Sequence, residues 1–190
     1  MTLQEKKALE GRALVASADK HLETSAWKLK FSPDWDSAAN DLNKAAVCFK
    51  VVTSWDECKA AHLRACEAYA NSGSLYHAAK QLEGALLVCR EQGRLEEVED
   101  LASRGGLLYR QAGSPESAAQ LLVKAAKIIE RERPEQAVSL YEKAADTVKS
   151  SPPCPALIVS LQVSTEDRSA EAAQHLEKAA LLSARTLQVD

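Results

Sequence analysis

Cys58-x-x-x-His62-x-x-x-Cys66 is the stretch of this chain whose residue types most plainly suggest chemistry, since thiolates and an imidazole spaced by four on a helix can share a zinc ion. Helix geometry counts against that use. The two cysteines lie about 12 Å apart along the axis, whereas both sulfurs would need to be about 2.3 Å from one ion. Cys58 also falls in a sequence column otherwise filled by Val98 and Val138, so a packing role is expected for it. Cys48 and Cys89 stand in apolar columns as well. Gly105-Gly106 follows no strand and fits no phosphate-loop pattern, and it reads instead as a mark of close helix contact. There is no G-x-S-x-G or H-E-x-x-H motif, and His21, His62, His77 and His175 are scattered. No catalytic, cofactor-binding or metal-binding set is therefore expected, and the chain is not read as an enzyme.

Two further groups of residues are suited to binding rather than reaction. Lys44, Lys124 and Lys178 occupy one column of a repeated phrase, interrupted by Gly84. Stacked repeats would set them in a row able to grip an elongated acidic partner, although a merely solvated face would have the same composition. Trp27, Leu29 and Phe31 alternate with Lys28 and Lys30 just before a helix-excluding Ser32-Pro33 step. Such a loop can insert into a bilayer surface while its lysines meet anionic headgroups, or it can cap the core of the first helix pair.

All of these residues are positioned by a phrase that the chain states four times. It reads Ala38-Ala-Asn-Asp-Leu42-Asn-Lys44-Ala-Ala46, then begins again at Ala78, Ala118 and Ala172. The first three copies start 40 residues apart (78 − 38 and 118 − 78), and the fourth starts 54 later (172 − 118). A fixed period of about 40 is the signature of stacked helix pairs, in which no repeat buries its apolar face alone. The expected fold is all-α, a solenoid of TPR-like antiparallel helix pairs forming a single domain over 1–190.

The periodicity places the pairs near 34–51 and 54–71, 74–91 and 94–111, and 115–131 and 134–148, behind a first helix from Leu3 to Glu23. Leu3, Leu9, Leu14, Ala18 and Leu22 are expected to form that helix's buried stripe. Within the phrase the Ala, Leu and Ala columns 39/79/119, 42/82/122 and 45/85/125 are invariant, and small residues there let helices approach closely. The second helices carry the stripe Cys58/Val98/Val138, Ala61/Leu101/Tyr141 and Ala65/Gly105/Ala145. Asp34, Ser74 and Ser114 are each expected to cap the helix that follows through a side-chain oxygen.

Composition agrees with this. Only 7 Gly, 6 Pro and 2 Phe occur in 190 residues, and the net charge of −3 gives no basic field for nucleic acid. No stretch reaches the roughly 20 apolar residues of a membrane span, and the N-terminus has no signal-peptide core, so a cytoplasmic, peripherally membrane-associated protein is expected. Five cysteines without disulfide-like spacing suit a reducing compartment. After Lys149 the rhythm breaks at Pro152, Pro153 and Pro155, and residues 150–164 read as an insertion into the repeat, because the phrase resumes afterwards.

The residues Lys28-Leu-Lys-Phe-Ser-Pro-Asp-Trp-Asp-Ser-Ala-Ala39, Lys44-Ala-Ala-Val-Cys-Phe-Lys50, Leu75-Tyr-His-Ala-Ala-Lys80 and Pro134-Glu-Gln-Ala-Val-Ser-Leu-Tyr-Glu-Lys143 resemble the soluble NSF attachment proteins, the gamma type in particular. The resemblance implies a right-handed α-solenoid that acts as a non-catalytic adaptor, laying its concave side on a SNARE complex that contains a syntaxin-like chain. It further implies that the Trp27 to Phe31 loop touches the membrane surface, and that the NSF ATPase is a partner of the full-length family. Family members extend through more helix pairs to a part that engages the ATPase, a part expected to be absent here. The rival reading is a general TPR-like peptide-binding scaffold or co-chaperone, whose period is usually about 34 residues.

Overall fold

A computed structural model describes residues 2–24, 32–149, 174, 177 and 178. The described residues form α-helices joined by tight turns, with no strand among them: α1 (Leu3–Leu22), α2 (Trp35–Val51), α3 (Trp55–Asn71), α4 (Leu75–Gln92), α5 (Val98–Gln111), α6 (Pro115–Ile129) and α7 (Pro134–Lys149). A short 3-10 turn, Leu95–Glu97, leads into α5. Two compact units result, Met1–Arg94 and Leu95–Asp190. The all-α class and the helix ends anticipated from the periodicity hold to within a few residues.

The helices end where they do because four successive turns repeat one piece of chemistry. Thr53, Gly73, Gly93 and Gly113 all have positive φ, at 58°, 81°, 71° and 74°. Each N–H, and that of the residue after it, is donated back to the last turn of the preceding helix. Thr53 bonds Lys50 O at 3.2 Å and Ser54 bonds Phe49 O at 3.0 Å; Gly73 bonds Ala70 O at 3.1 Å and Ser74 bonds Tyr69 O at 2.8 Å. The pairs Gly93/Arg94 and Gly113/Ser114 do the same onto Arg90/Cys89 and Arg110/Tyr109. This left-handed closure satisfies carbonyls that a helix end would otherwise leave open. Glycine adopts it freely, whereas a β-branched residue is strained there by about 1–2 kcal/mol. Thr53→Gly should therefore raise stability by about 0.5–1 kcal/mol once the extra freedom of an unfolded glycine is subtracted. A rise in the thermal midpoint checks this; a fall would show that the Thr53 side chain contributes more than its backbone costs.

The predicted caps are only partly present. Asp34 accepts from Ser37 N at 3.1 Å, but Ser74 and Ser114 make no side-chain capping bond. Their ψ values of 60° and 65° lie far from the extended 164° at which Thr2 closes a capping box with Glu5, and the short serine hydroxyl does not reach the first turn. The longer Asp34 carboxylate spans the gap at ψ 83°.

In the first unit, α2, α3 and α4 stack in sequence and α1 lies against the first of them. The phrase residues Ala38, Ala39, Leu42, Ala45 and Ala46, with Phe49 after them, are buried in α2, as are Ala78, Ala79, Leu82, Ala85 and Leu86, with Cys89, in α4. Gly11 of α1 lets the Phe49 ring come so near that a Cβ at that position would lie 2.9 Å from it. Arg12 reaches Glu57 at 3.0 Å, and Arg64 reaches Asp19, tying α1 to α3 as well. The stripe of α1 differs from expectation at two places, and Leu3, in the first turn, is 73% exposed. Leu9 is 59% exposed, because its angular position is nearly opposite that of Gly11, and Gly11, Leu14, Val15 and Ala18 form the inward face instead.

In the second unit α6 packs between α5 and α7. Ala118, Ala119, Leu122, Ala125, Ala126 and Ile129 of α6 are buried, facing Val98, Leu101 and Tyr109 of α5 or Ala137, Leu140, Tyr141, Ala144 and Ala145 of α7. The Gly105-Gly106 pair brings α5 close to α6, with Leu122 3.5 Å from where a Gly106 Cβ would lie. That is ordinary contact, so a methyl group would fit. The insertion expected at 150–164 lies outside the described residues.

Candidate interaction site

The zinc reading of Cys58, His62 and Cys66 gives way to packing. Cys58 is fully buried among Ala45, Ala46, Phe49, Ala61 and Val88, and its Sγ donates to Ala46 O at 3.3 Å. Burial pushes its thiol pKa up, which keeps it protonated and unreactive. His62 projects from α3 into the space opposite Gly84 on α4. Its Nδ1 lies 2.8 Å from Oε1 of the buried Gln81, an oxygen that can only accept, so the ring carries its proton on Nδ1.

Burial holds the His62 pKa below its ordinary value, against the hydrogen bond to Gln81, and Lys50 adds to the depression. A histidine whose pKa is lower folded than unfolded contributes full stability above its unfolded value near 6.5, and loses it as pH falls below that value. Thermal melts between pH 7.5 and 5 should show the midpoint of the wild type declining more steeply than that of His62→Gln. A slope unchanged by the substitution would place the acid sensitivity elsewhere. The limit for one proton is about 1.4 kcal/mol per pH unit.

Gly84 breaks the lysine column for this reason. A Cβ there would lie 2.6 Å from His62 Cε1, so no side chain of any length fits unless His62 moves. The lysines themselves are differently placed. Lys44 is exposed on α2 and lies 3.8 Å from Asp41 on the same helix. Lys124 is exposed on α6. Lys178 is held against the C-terminal end of α6 and against α7, with Nζ 3.0 Å from Oε2 of the C-cap Glu130 and 5.0 Å above the Tyr141 ring. Lys44 belongs to the first unit, and Lys124 and Lys178 to the second.

Trp27, Lys28, Leu29, Lys30 and Phe31 lie outside the described residues, but the chain on either side of them is anchored. Asp34 N donates to His21 O at 3.0 Å, and the His21 ring stands between the carboxylates of Asp34 and Asp41 at 3.7 and 3.6 Å. Thus α1 and α2 are joined at the base of the segment.

Sequence reasoning did not anticipate a groove of about 520 Å³ in the second unit, floored by Gly106 and Leu122 and walled by Leu107 and Arg110 of α5 and Lys143 and Asp146 of α7. Its one signal in the sequence is Gly105-Gly106, which thins α5 at that level. Lys143 is partly engaged there, with Ser103 Oγ at 3.2 Å and Glu99 at 3.4 Å.

Buried alanine stripes on successive antiparallel helices define a helical-repeat protein. The family model described as "Soluble NSF attachment protein, SNAP" matches residues 9–188, and the chain belongs to that family, whose fold is a helical solenoid. It is similar to the gamma-soluble NSF attachment protein of Dictyostelium discoideum, 32% identical over 76% of this chain and 44% of that protein. The protein of the same name from Arabidopsis thaliana is 27% identical over 72% of this chain and 46% of its own length. The alpha-soluble NSF attachment protein of Vitis vinifera is 28% identical over 74% and 47%. The chain thus spans less than half the length of these relatives. Among the described residues no helix is long and apolar enough to cross a membrane.

Proposed function

We propose that this chain is a non-catalytic adaptor that binds SNARE complexes for disassembly by the NSF ATPase, at a membrane surface on the cytoplasmic side. The match of residues 9–188 to the attachment-protein family carries this reading. The exposed cations Lys44 and Lys124 support it as contacts for an acidic helical bundle, because rim charges steer association and set its salt dependence. Lys178, in the same column, is the third contact, and its charge is already partly offset by Glu130. Trp27, Lys28, Leu29, Lys30 and Phe31 are proposed as the membrane contact, their apolar side chains entering the interface between lysines.

Reversing Lys44, Lys124 and Lys178 to Glu together tests the recognition surface. Each surface charge contributes on the order of 0.5–1 kcal/mol, so affinity for a SNARE bundle should fall by about tenfold or more at low salt, with a flatter salt dependence. Unchanged affinity would make the column a solvated face. When the bundle is carried on anionic liposomes, Trp27, Leu29 and Phe31 changed to Ser should remove the extra affinity that the bilayer gives, and leave binding to the soluble bundle intact.

A further inference from the structure

We propose that Glu130, the C-cap of α6, and Tyr141 of α7 form a lysine-reading dock on the third helix pair, which selects the fourth copy of the phrase through Lys178. Lys178 Nζ lies 3.0 Å from Glu130 Oε2, and the same oxygen accepts from the Tyr141 hydroxyl at 2.9 Å. The ammonium also stands 5.0 Å above the Tyr141 ring, a distance at which the ring face attracts a cation. Tyr141 is fully buried, so its ring and hydroxyl are held by packing, and the hydroxyl in turn aims the carboxylate. Gln174, Glu177 and Lys178 are helical.

The repeat shows that this contact is particular to the third pair. One period back, Glu130 is replaced by Arg90, and two periods back by Lys50; Tyr141 is replaced by Leu101 and Ala61. The earlier repeats therefore carry a cation in the column where the third carries an acid, and neither a ring face nor a hydroxyl in the column of Tyr141. The acid and the ring face meet a lysine at the seventh position of the phrase at Lys178. Such selectivity has a use here, because the fourth copy begins 54 residues after the third rather than 40 and so departs from the register of the repeat. The charge states favour the contact across neutral pH. Tyr141 and then Glu130 raise the Lys178 pKa against partial burial, and although burial raises that of Glu130, the bonds from Lys178 and Tyr141 outweigh it and hold the carboxyl below its usual range.

Hydrogen exchange on the full chain tests the dock, with Lys178→Glu, Glu130→Lys and the double charge swap. Each single variant should speed amide exchange around 174–178 by about fivefold, and the swap should recover much of the protection, though not all, since a carboxylate gains nothing from the ring face. Exchange unchanged in the single variants would overturn the proposal. So would a swap that restores nothing, because the two groups would then not be reading one another. Exchange of α6 and α7 amides in the same run reports whether a reversal has unfolded the unit. In that event Glu130→Gln, Lys178→Met and their double variant carry the test, and additive effects overturn the proposal while non-additive ones support it.

Discussion

Gly84→Lys should destabilise the first unit by about 2–3 kcal/mol, although it restores the residue type that the repeat carries at 44, 124 and 178. Helix propensity argues the other way, since glycine in a helix interior costs about 1 kcal/mol relative to ordinary residues. Packing decides the sign. The new Cβ would meet the His62 ring at 2.6 Å, and His62 cannot withdraw without breaking its bond to the buried Gln81. Placing His62→Ala in the same chain should recover most of the loss, because the obstacle is then gone and the propensity gain remains. Denaturant midpoints of the single and double variants measure this; a Gly84→Lys protein as stable as the wild type would mean that the ring swings aside freely.

Leu82→Ala should cost about 3 kcal/mol, within the range for removing a buried leucine from a packed core. Leu82 is 1% exposed at the centre of α4, flanked by the alanines of the phrase, and these small neighbours have no side-chain length with which to fill the void. Leu9→Ala removes the same atoms from a 59% exposed position on α1 and should change stability by less than about 0.5 kcal/mol. Chemical denaturation of both variants separates the two environments. Equal losses would contradict the assignment of the inward face of α1 to Gly11, Leu14, Val15 and Ala18.

These cases also show which parts of the fold are legible in the sequence. The helices and their ends are, because the repeat aligns like positions and the turn glycines Gly73, Gly93 and Gly113 are the residues that a left-handed closure requires. Thr53 occupies the same kind of turn without the glycine that announces it. The caps at Ser74 and Ser114 are not legible, since a serine before a helix fixes neither its ψ nor the reach of its hydroxyl. The stripe of α1 misleads at Leu9 because hydrophobicity outweighs angle when leucines are simply counted, and Gly11 gives no hydrophobic signal at all. For the site, composition and spacing identify Lys44, Lys124 and Lys178 as one column. They do not show that His62 fills the gap at Gly84 or that Glu130 and Tyr141 engage Lys178, since both facts depend on contacts between different helices. The groove beside Leu107 and Lys143 is hidden for the same reason.

As an adaptor, this chain is proposed to recognise a SNARE bundle rather than peptides in general. The most direct test is to titrate the full chain against an assembled SNARE four-helix bundle and, in parallel, against an acidic chaperone-tail peptide, at low and physiological salt. The adaptor reading predicts saturable binding to the bundle that weakens as salt rises, with little or none to the peptide. Binding to the peptide with none to the bundle would contradict it and favour a general peptide-binding scaffold.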